Sequence, residues 1–343
     1  MRKHILYPVL AVIILVSLCS IMIIGELSGY FLNPTRDFET EMTDDKLIVV
    51  GISQLGSESV WRTANTDSIQ KALSRENGYF AIFSNARQKQ ENQIKAIRSF
   101  ISQRVDYIVF SPVTEDGFES VLIEAKDAGI PVILMDRMAN VSDDSLYVTH
   151  VGSDMKAEGI KAGTWLASEL KKKNIADDPV NIVILKGTEG SSSEIGRSEG
   201  FHQIAADHPN WNILAEVDAD FTTTKAKEEM GKLLREFRDI DVVVSQNDDM
   251  TFGAVEALRS RGYTTGVNGE VMIISFDACH EALTMVYNGV INVDIECNPI
   301  QGEYVSEVIR KLERGETIDK EYFVDEEVFT KDNVINALNS RAY

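Results

Sequence analysis

One strand–turn–helix pattern runs twice through this chain, and a repeat of that kind leaves few folds open. From Lys46 onward, apolar runs of strand length alternate with stretches of helix length. The strands read as "KLIVVGI", "YFAIFS", "YIVFSP" and "IPVILMD", then "VNIVILKG", "NILAEVDAD", "DVVVSQ" and "VMIISFDA". Between them, "ENQIKAIRSFISQRV" sets Ile94, Ile97, Phe100 and Ile101 at helical spacing. Unbroken β-branched runs suit parallel strands covered on both faces, and repeated βαβ units predict an α/β fold of open, doubly wound sheets. In the first half "YIVFSPVTEDGFESVLIEAKDAGIPVILMDR" runs strand, polar turn, helix, glycine, strand, and ends on Asp136-Arg137. In the second, "DVVVSQNDDMTFGAVEALRSRGY" and then "VMIISFDA" do the same and end on Asp277. Ser111 and Asn247 thereby occupy matching strand ends, as do Asp136 and Asp277. Ligands of open parallel sheets bind at the carboxyl ends of the strands. Two such sheets facing each other predict a shared cleft, a clamp.

The chain has 343 residues, room for two domains with cores of their own. Its formal net charge of −20 argues against nucleic-acid binding, which needs clustered Lys and Arg; excess acid reads instead as a solvated surface. The sharpest compositional break is at the start. After the basic "MRKH", Ile5 to Ile24 carries no charge, and twenty residues at about 1.5 Å each span about 30 Å, the thickness of a bilayer core. A basic flank keeps the N-terminus in the cytoplasm and sends the remainder out. No A-x-A-like cleavage site follows, so residues 1–24 are expected to be an uncleaved transmembrane signal-anchor and 25–45 a tether. Lipidation at Cys19 is the alternative, though Leu18 precedes it where such processing favours a small residue. Of three cysteines, Cys279 and Cys297 could bridge, but buried free thiols are expected.

The stretch "VGISQLGSESVWRTANTDSIQKAL", Val50 to Leu73, passes from strand through glycines into a helical pattern, as a phosphate cradle does. Gly51 and Gly56 fit that spacing, yet Ser57 and Glu58 stand where Lys and Ser/Thr are required, and a carboxylate repels phosphate. Next come Trp61 and Arg62, a flat apolar ring beside a rigid fork of donors. The strand-end set Ser111, Asp136, Arg137, Asn247 and Asp277 adds acceptors, donors and a carboxamide that is both. Vicinal sugar hydroxyls use that mixture, at roughly 1.5–3 kcal/mol per charge-assisted bond. Trp61, and Phe221 in "DADFTTTKAKEEM", can cover the C–H face of a sugar ring. Singly, each residue has a plainer reading: Asp136 or Asp248 as a cap, a lone Trp or Phe as core. Repetition at equivalent places in both halves favours the binding set.

Enzymatic readings fare poorly. The five histidines, His4, His150, His202, His208 and His280, show no metal-ligand spacing. Cys279-His280 are adjacent rather than from separate segments, and a G-x-S-x-G elbow is missing. "LKGTEGSSSEIGRSEGF" lacks the P-loop Lys; it reads as a strand-to-helix turn, or as the segment placing Arg197 on the cleft. Asn247-Asp248-Asp249 fits no calcium loop, and Asp248 is expected to cap a helix. No cofactor and no metal are expected.

"VGISQLGSESVWRTANTDSIQKAL", "QKQENQIKAIRSFISQRVDYIVFSPV", "IPVILMDR", "HVGSD", "SQNDDMTFGA", "IISFDA" and "IECNP" together resemble the periplasmic sugar-binding proteins of ABC importers. The resemblance covers about Leu47 to Asn333 and is nearest the galactofuranose-binding branch of the ribose/galactose-type family. It implies a type I periplasmic-binding-protein fold: two Rossmann-like lobes with parallel sheets, joined by a three-strand hinge and closing on one monosaccharide. The lobes are expected at 46–149 with 298–324 and at 150–297 with 325–343. Carried over by motif, it implies ligand contacts from Trp61 and Arg62 with Glu58 nearby, Ser111, Asp136-Arg137, Arg197 of "RSEGF", Phe221 of "DADF", Asn247 and Asp277, and Glu296 of "IECNP" at the hinge. A membrane segment stands where repressors built on the same domain carry a DNA-binding headpiece. The resemblance implies an ABC permease as partner; a membrane sensor kinase reading the same closed lobes is the alternative.

Overall fold

The computed structural model describes residues 47–57 and 59–343. The expected membrane segment 5–24, the tether 25–45, Cys19 and the candidate ligand residue Glu58 lie outside the described residues. Among the described residues no helix is long and apolar enough to cross a membrane.

Strands β1 (Ile48–Gln54), β2 (Tyr79–Asn85), β3 (Tyr107–Phe110), β4 (Val132–Met135), β5 (Thr149–Gly152) and β11 (Glu321–Phe323) form one six-stranded sheet, in the order β11-β5-β4-β3-β1-β2. Strands β6 (Val180–Lys186), β7 (Trp211–Asp218), β8 (Val242–Ser245), β9 (Met272–Asp277), β10 (Val293–Glu296) and β12 (Val328–Thr330) form the other, in the order β12-β10-β9-β8-β6-β7. Substituting each strand by its counterpart turns one order into the other, so the repeat in the sequence is a repeat of topology. One pairing departs from the parallel expectation: β12 runs antiparallel to β10. The chain passes from β11 to β12 without a helix to reverse it, so β12 leads away from the first sheet while β10 leads back towards it.

Helices α1 (Val60–Ala72), α2 (Gln90–Gln103), α3 (Glu119–Asp127) and α9 (Gly302–Glu313) cover the first sheet. Helices α4 (Met155–Lys172), α5 (Ser192–Ala205), α6 (Thr223–Glu236), α7 (Asp248–Ser260), α8 (His280–Tyr287) and α10 (Val334–Ser340) cover the second. Alternation along each strand feeds two cores. On β3, Tyr107 and Val109 pack with Ile69, Val305 and Ile309, whereas Ile108 and Phe110 pack with Ile97, Phe100 and Leu122. On β8, Val243 joins Met230 and Leu258, and Val242 and Val244 join Leu166 and Phe201. Both faces are dry, which is why the strands read as unbroken apolar runs.

The chain crosses between sheets three times: after β5, after β10, and between β11 and β12. The crossings are tied together. Glu326 Oε1 accepts from Ser153 Oγ and from Asn298 N, the latter at 3.0 Å, and Ser153 Oγ lies 3.3 Å from Cys297 Sγ. Cys279 and Cys297 are buried free thiols, as expected. The lobes are shut on one another. Glu115 N donates to Gly190 O at 2.9 Å, Met138 N to Ser192 Oγ at 2.9 Å, and Val60 N to Asp249 Oδ2 at 3.4 Å.

Candidate functional site

Every βα turn of this topology aims a helix N-terminus at the cleft, and most are capped by a side chain from the turn itself. Ser59 caps α1, Ser191 caps α5, Thr222 caps α6 and Asn247 caps α7. At the first turn, Ser59 Oγ accepts from Arg62 N at 3.0 Å, so a backbone donor a phosphate would need is already engaged. Capping at Asn247 corrects the expectation for Asp248. Its carboxyl is buried and accepts from Ser275 Oγ at 2.6 Å and Cys279 N at 2.8 Å.

Between the lobes lies a small cavity lined by both. The first lobe lines it with Ser59, Trp61, Arg62, Asp136 and Arg137; the second with Met155, Ser193, Arg197, Phe221, Asn247 and Asp277; Cys297 enters from a crossing. Eight of the eleven expected site residues therefore meet in one cavity, four from each lobe.

The first-lobe wall is an ion-pair cluster. Asp136 Oδ2 lies 2.7 Å from Arg62 Nη2 and 4.0 Å from Arg137 Nε, and accepts from Ser111 Oγ at 3.0 Å. Ser111 does not line the cavity; its hydroxyl supports Asp136 from below, a correction to its assignment as a direct contact. Arg62 also lies over Trp61, 4.6 Å from the ring centroid, and Trp61 Nε1 donates to Cys297 O at 2.6 Å, anchoring α1 to the hinge. Burial would raise the Asp136 pKa, but the charges of Arg62 and Arg137 outweigh it and hold the carboxyl below its ordinary value. Asp136 is an anion.

The second-lobe wall is built on Arg197. Its Nε donates to Glu158 Oε2 at 2.6 Å, its Nη1 to Gln246 O, and its Nη2 lies 3.3 Å from Asp277 Oδ1. Asp277 is pushed well above its ordinary pKa, by burial first and then by Asp248, Glu158 and Asp249, against the pull of Arg197. The two matching strand-end acids are thus shifted in opposite directions. Phe221 is 5% exposed and faces across the cleft to Arg137, whose guanidinium carbon lies 5.3 Å from the ring centroid. Gly187 makes room for it: a Cβ there would fall 1.8 Å from Phe221 Cζ. Asp136, Phe221 and Asp277 all have positive φ, at 64°, 58° and 106°, conformations that persist where surroundings over-determine them and that collect at functional sites.

Glu296 is the clear misplacement. It faces away from the cavity, where Oε1 meets Arg341 Nη1 at 2.5 Å and Oε2 accepts from Glu327 N at 2.9 Å. Its neighbour Cys297 lines the site instead, since successive residues of an extended chain point to opposite sides. Sequence reasoning also missed Ser59, Met155 and Ser193. Ser59 stood in the right stretch, and Met155 directly follows "HVGSD"; Ser193 carried no signal beyond its serine-rich turn.

With this geometry in view, comparison with known proteins is specific. The model of the periplasmic binding protein domain matches residues 50–317. The chain belongs to the periplasmic binding protein family. It is 38% identical over 274 residues to the galactofuranose-binding protein YtfQ of Escherichia coli, covering 79% of this chain and 84% of that protein. A crystal structure from Mycobacterium smegmatis in complex with β-D-fucofuranose is 40% identical with a TM-score of 0.81, covering 85% of this chain and 94% of that one. The periplasmic binding component of an arabinose ABC transporter from Shewanella sp. ANA-3, bound to α- and β-L-arabinofuranose, is 36% identical with a TM-score of 0.80. Coverage there is 86% of this chain and 95% of that one. As members of this family such relatives are named for what they bind, not for a reaction.

Proposed function

We propose that this protein is an extracytoplasmic solute-binding protein that captures one monosaccharide, galactofuranose or a related hexose, and delivers it to an ABC sugar importer. The observation that carries the reading is the cavity lined by both lobes, with an anionic carboxylate, three guanidinium groups, a carboxamide and two aromatic rings. A ring bearing vicinal hydroxyls meets donors and acceptors around its edge and aromatic carbon on its faces. The furanose forms held by two of the relatives support a five-membered ring. Glu58, Trp61, Arg62, Asp136, Arg137, Arg197, Phe221, Asn247 and Asp277 are the proposed contacts, with Ser111 supporting Asp136. Closed lobes offer a permease a surface that open lobes do not, so sugar affinity becomes a transport signal. The uncharged Ile5–Ile24 run is proposed to hold the protein at the membrane, to be checked by fractionating cells that carry the parent or Cys19→Ala.

The test is calorimetric titration with furanose and pyranose sugars, preceded by mass spectrometry of any ligand retained through purification. Micromolar or tighter binding of a furanose is expected. Binding of an amino acid or nucleotide with no sugar bound would overturn the reading.

A further inference from the structure

Glu158, in the first turn of α4, is wholly buried and does not line the cavity, yet it touches the cavity's central cation. One oxygen, Oε2, accepts from Arg197 Nε at 2.6 Å; the other, Oε1, is buried with no hydrogen-bond partner among the described residues. On its far side is the hinge. A Glu158 oxygen, Cys297 Sγ and a Glu326 carboxylate oxygen all lie within 4.8 Å of one another. Glu326 is also the residue that gathers the crossings, accepting from Ser153 on the first and Asn298 on the second. Glu158 thus stands, with the cavity-lining Cys297, between the ligand cavity and the knot of the hinge. Its place is held by close helix packing: at Gly159 a Cβ would sit 2.3 Å from Arg197 O.

We propose that Glu158 is a positioning residue that couples Arg197, and through it the bound ligand, to the state of the hinge. This rests on the sugar-binding reading. Arg197 pulls the Glu158 carboxyl towards its anion, against burial, which on balance leaves it above its ordinary range. A second buried carboxylate that close is then disfavoured as an anion, and the closed hinge retains a proton on Glu326. Burial first, and Glu158 second, push Glu326 up to about 8. Lys161, whose Nζ reaches Glu326 O at 3.5 Å, opposes the shift without cancelling it. Arg197 and Asp277 act on the same cluster through Cys297, whose thiol burial pushes well above its ordinary range, and the Tyr343 phenol lies close enough to feel that thiol. Opening separates the crossings and hydrates Glu326, returning it towards an ordinary glutamate pKa of about 4.3. The raised value belongs to the closed form, so the contribution to closure is complete below the ordinary range. It declines as pH rises and is gone above about 8.

The experiment is titration of the parent, Glu158→Gln and Glu326→Gln with D-fucofuranose, D-galactofuranose and L-arabinofuranose at pH 5.5, 7 and 8.5, with thermal unfolding of each. The parent should lose affinity at least fivefold from pH 5.5 to 8.5. Glu326→Gln should flatten that dependence; Asp277 and Asp248 also have raised values, and their share is what remains in this variant. Glu158→Gln should bind at least tenfold more weakly at pH 5.5, with its remaining pH dependence displaced to lower pH. Unchanged affinity in Glu158→Gln overturns the coupling and leaves the sugar reading intact. So does weakened binding whose pH profile superimposes on the parent's, since a merely structural role would give that. A parent that binds none of the sugars overturns both. Should Glu158→Gln fail to fold, Glu326→Gln decides alone: a parent-like slope refutes the coupling.

Discussion

Asp136→Asn separates charge from shape more cleanly than any other substitution in the cavity. Residue 136 has φ of 64°, a left-handed conformation that asparagine also accepts, so the backbone has no reason to move. What changes is the carboxylate 2.7 Å from Arg62 and 4.0 Å from Arg137. Asp136, Arg62 and Arg137 are 3%, 4% and 2% exposed, so water screens little of the interaction. Removing one partner of a buried pair costs about 3–5 kcal/mol; asparagine keeps an acceptor, which favours the lower figure of about 3. At about 2–4 °C per kcal/mol for a domain of this size class, Tm should fall by about 6–12 °C. A hydroxyl donating to the anion adds about 1.5–3 kcal/mol to binding, so affinity should fall roughly 10- to 150-fold. Asp277→Asn makes the control. Burial already favours the neutral form there, and asparagine resembles a neutral carboxyl, so its loss should stay under about 1 kcal/mol, or roughly fivefold. Scanning calorimetry and furanose titration on both variants provide the assay. Equal losses, or a greater loss for Asp277→Asn, would refute the opposite shifts of the two carboxyls. The acid limb offers a second check. The Asp136 pKa is depressed in the fold, so its contribution is complete above about 3.9, the free aspartate value, and is lost as pH falls through the depressed value; Asp136→Asn should lack that limb.

Two further outcomes follow from single contacts. Trp61→Phe keeps the ring but removes the 2.6 Å bond to Cys297 O, so it should lower stability by about 1 kcal/mol and weaken all sugars alike; a change in sugar preference would show that the indole N–H reads the ligand. Gly187→Ala places a Cβ 1.8 Å from Phe221 Cζ, so the ring must leave the cavity and binding should fall at least tenfold, read by titration, while unchanged affinity would mean Phe221 is not a platform.

Fold and cavity were legible in the sequence to different depths. The repeat was readable because burial on both sheet faces demands unbroken apolar strands, and a doubled run of these has few other solutions. Asp136, Asn247 and Asp277 were readable because strand ends mark the cleft. What stayed hidden depends on parity and on partners. The choice between Glu296 and Cys297 turns on which side of an extended segment faces inward, and a segment of four strand residues contains too little alternation to tell. Ser111 was placed in the right turn but one layer too near the ligand, because whether a hydroxyl points at the ligand or at a neighbouring carboxylate is a rotamer, not a pattern. Glu158 gave no signal at all: an acid in a helical stretch reads as surface until the helix packed over it supplies an arginine.

The difference between the two strand-end acids has a cause in the way the lobes distribute their cations. Topology makes Asp136 and Asp277 equivalent, and each begins with the same desolvation that favours the neutral form. In the first lobe Asp136 has Arg62 and Arg137 both on it, and charge wins. In the second, Arg197 is already committed to Glu158 at 2.6 Å and reaches Asp277 only at 3.3 Å, while Asp248 and Asp249 stand behind. A duplicated fold has thereby acquired a cleft with an acceptor on one wall and a carboxyl pushed towards its neutral form on the other. A sugar hydroxyl does both, so the asymmetry lets one ring be held from two sides. Glu158 contributes to it, since it shares Arg197 with Asp277 and, after burial and Asp248, adds to the upward push on Asp277.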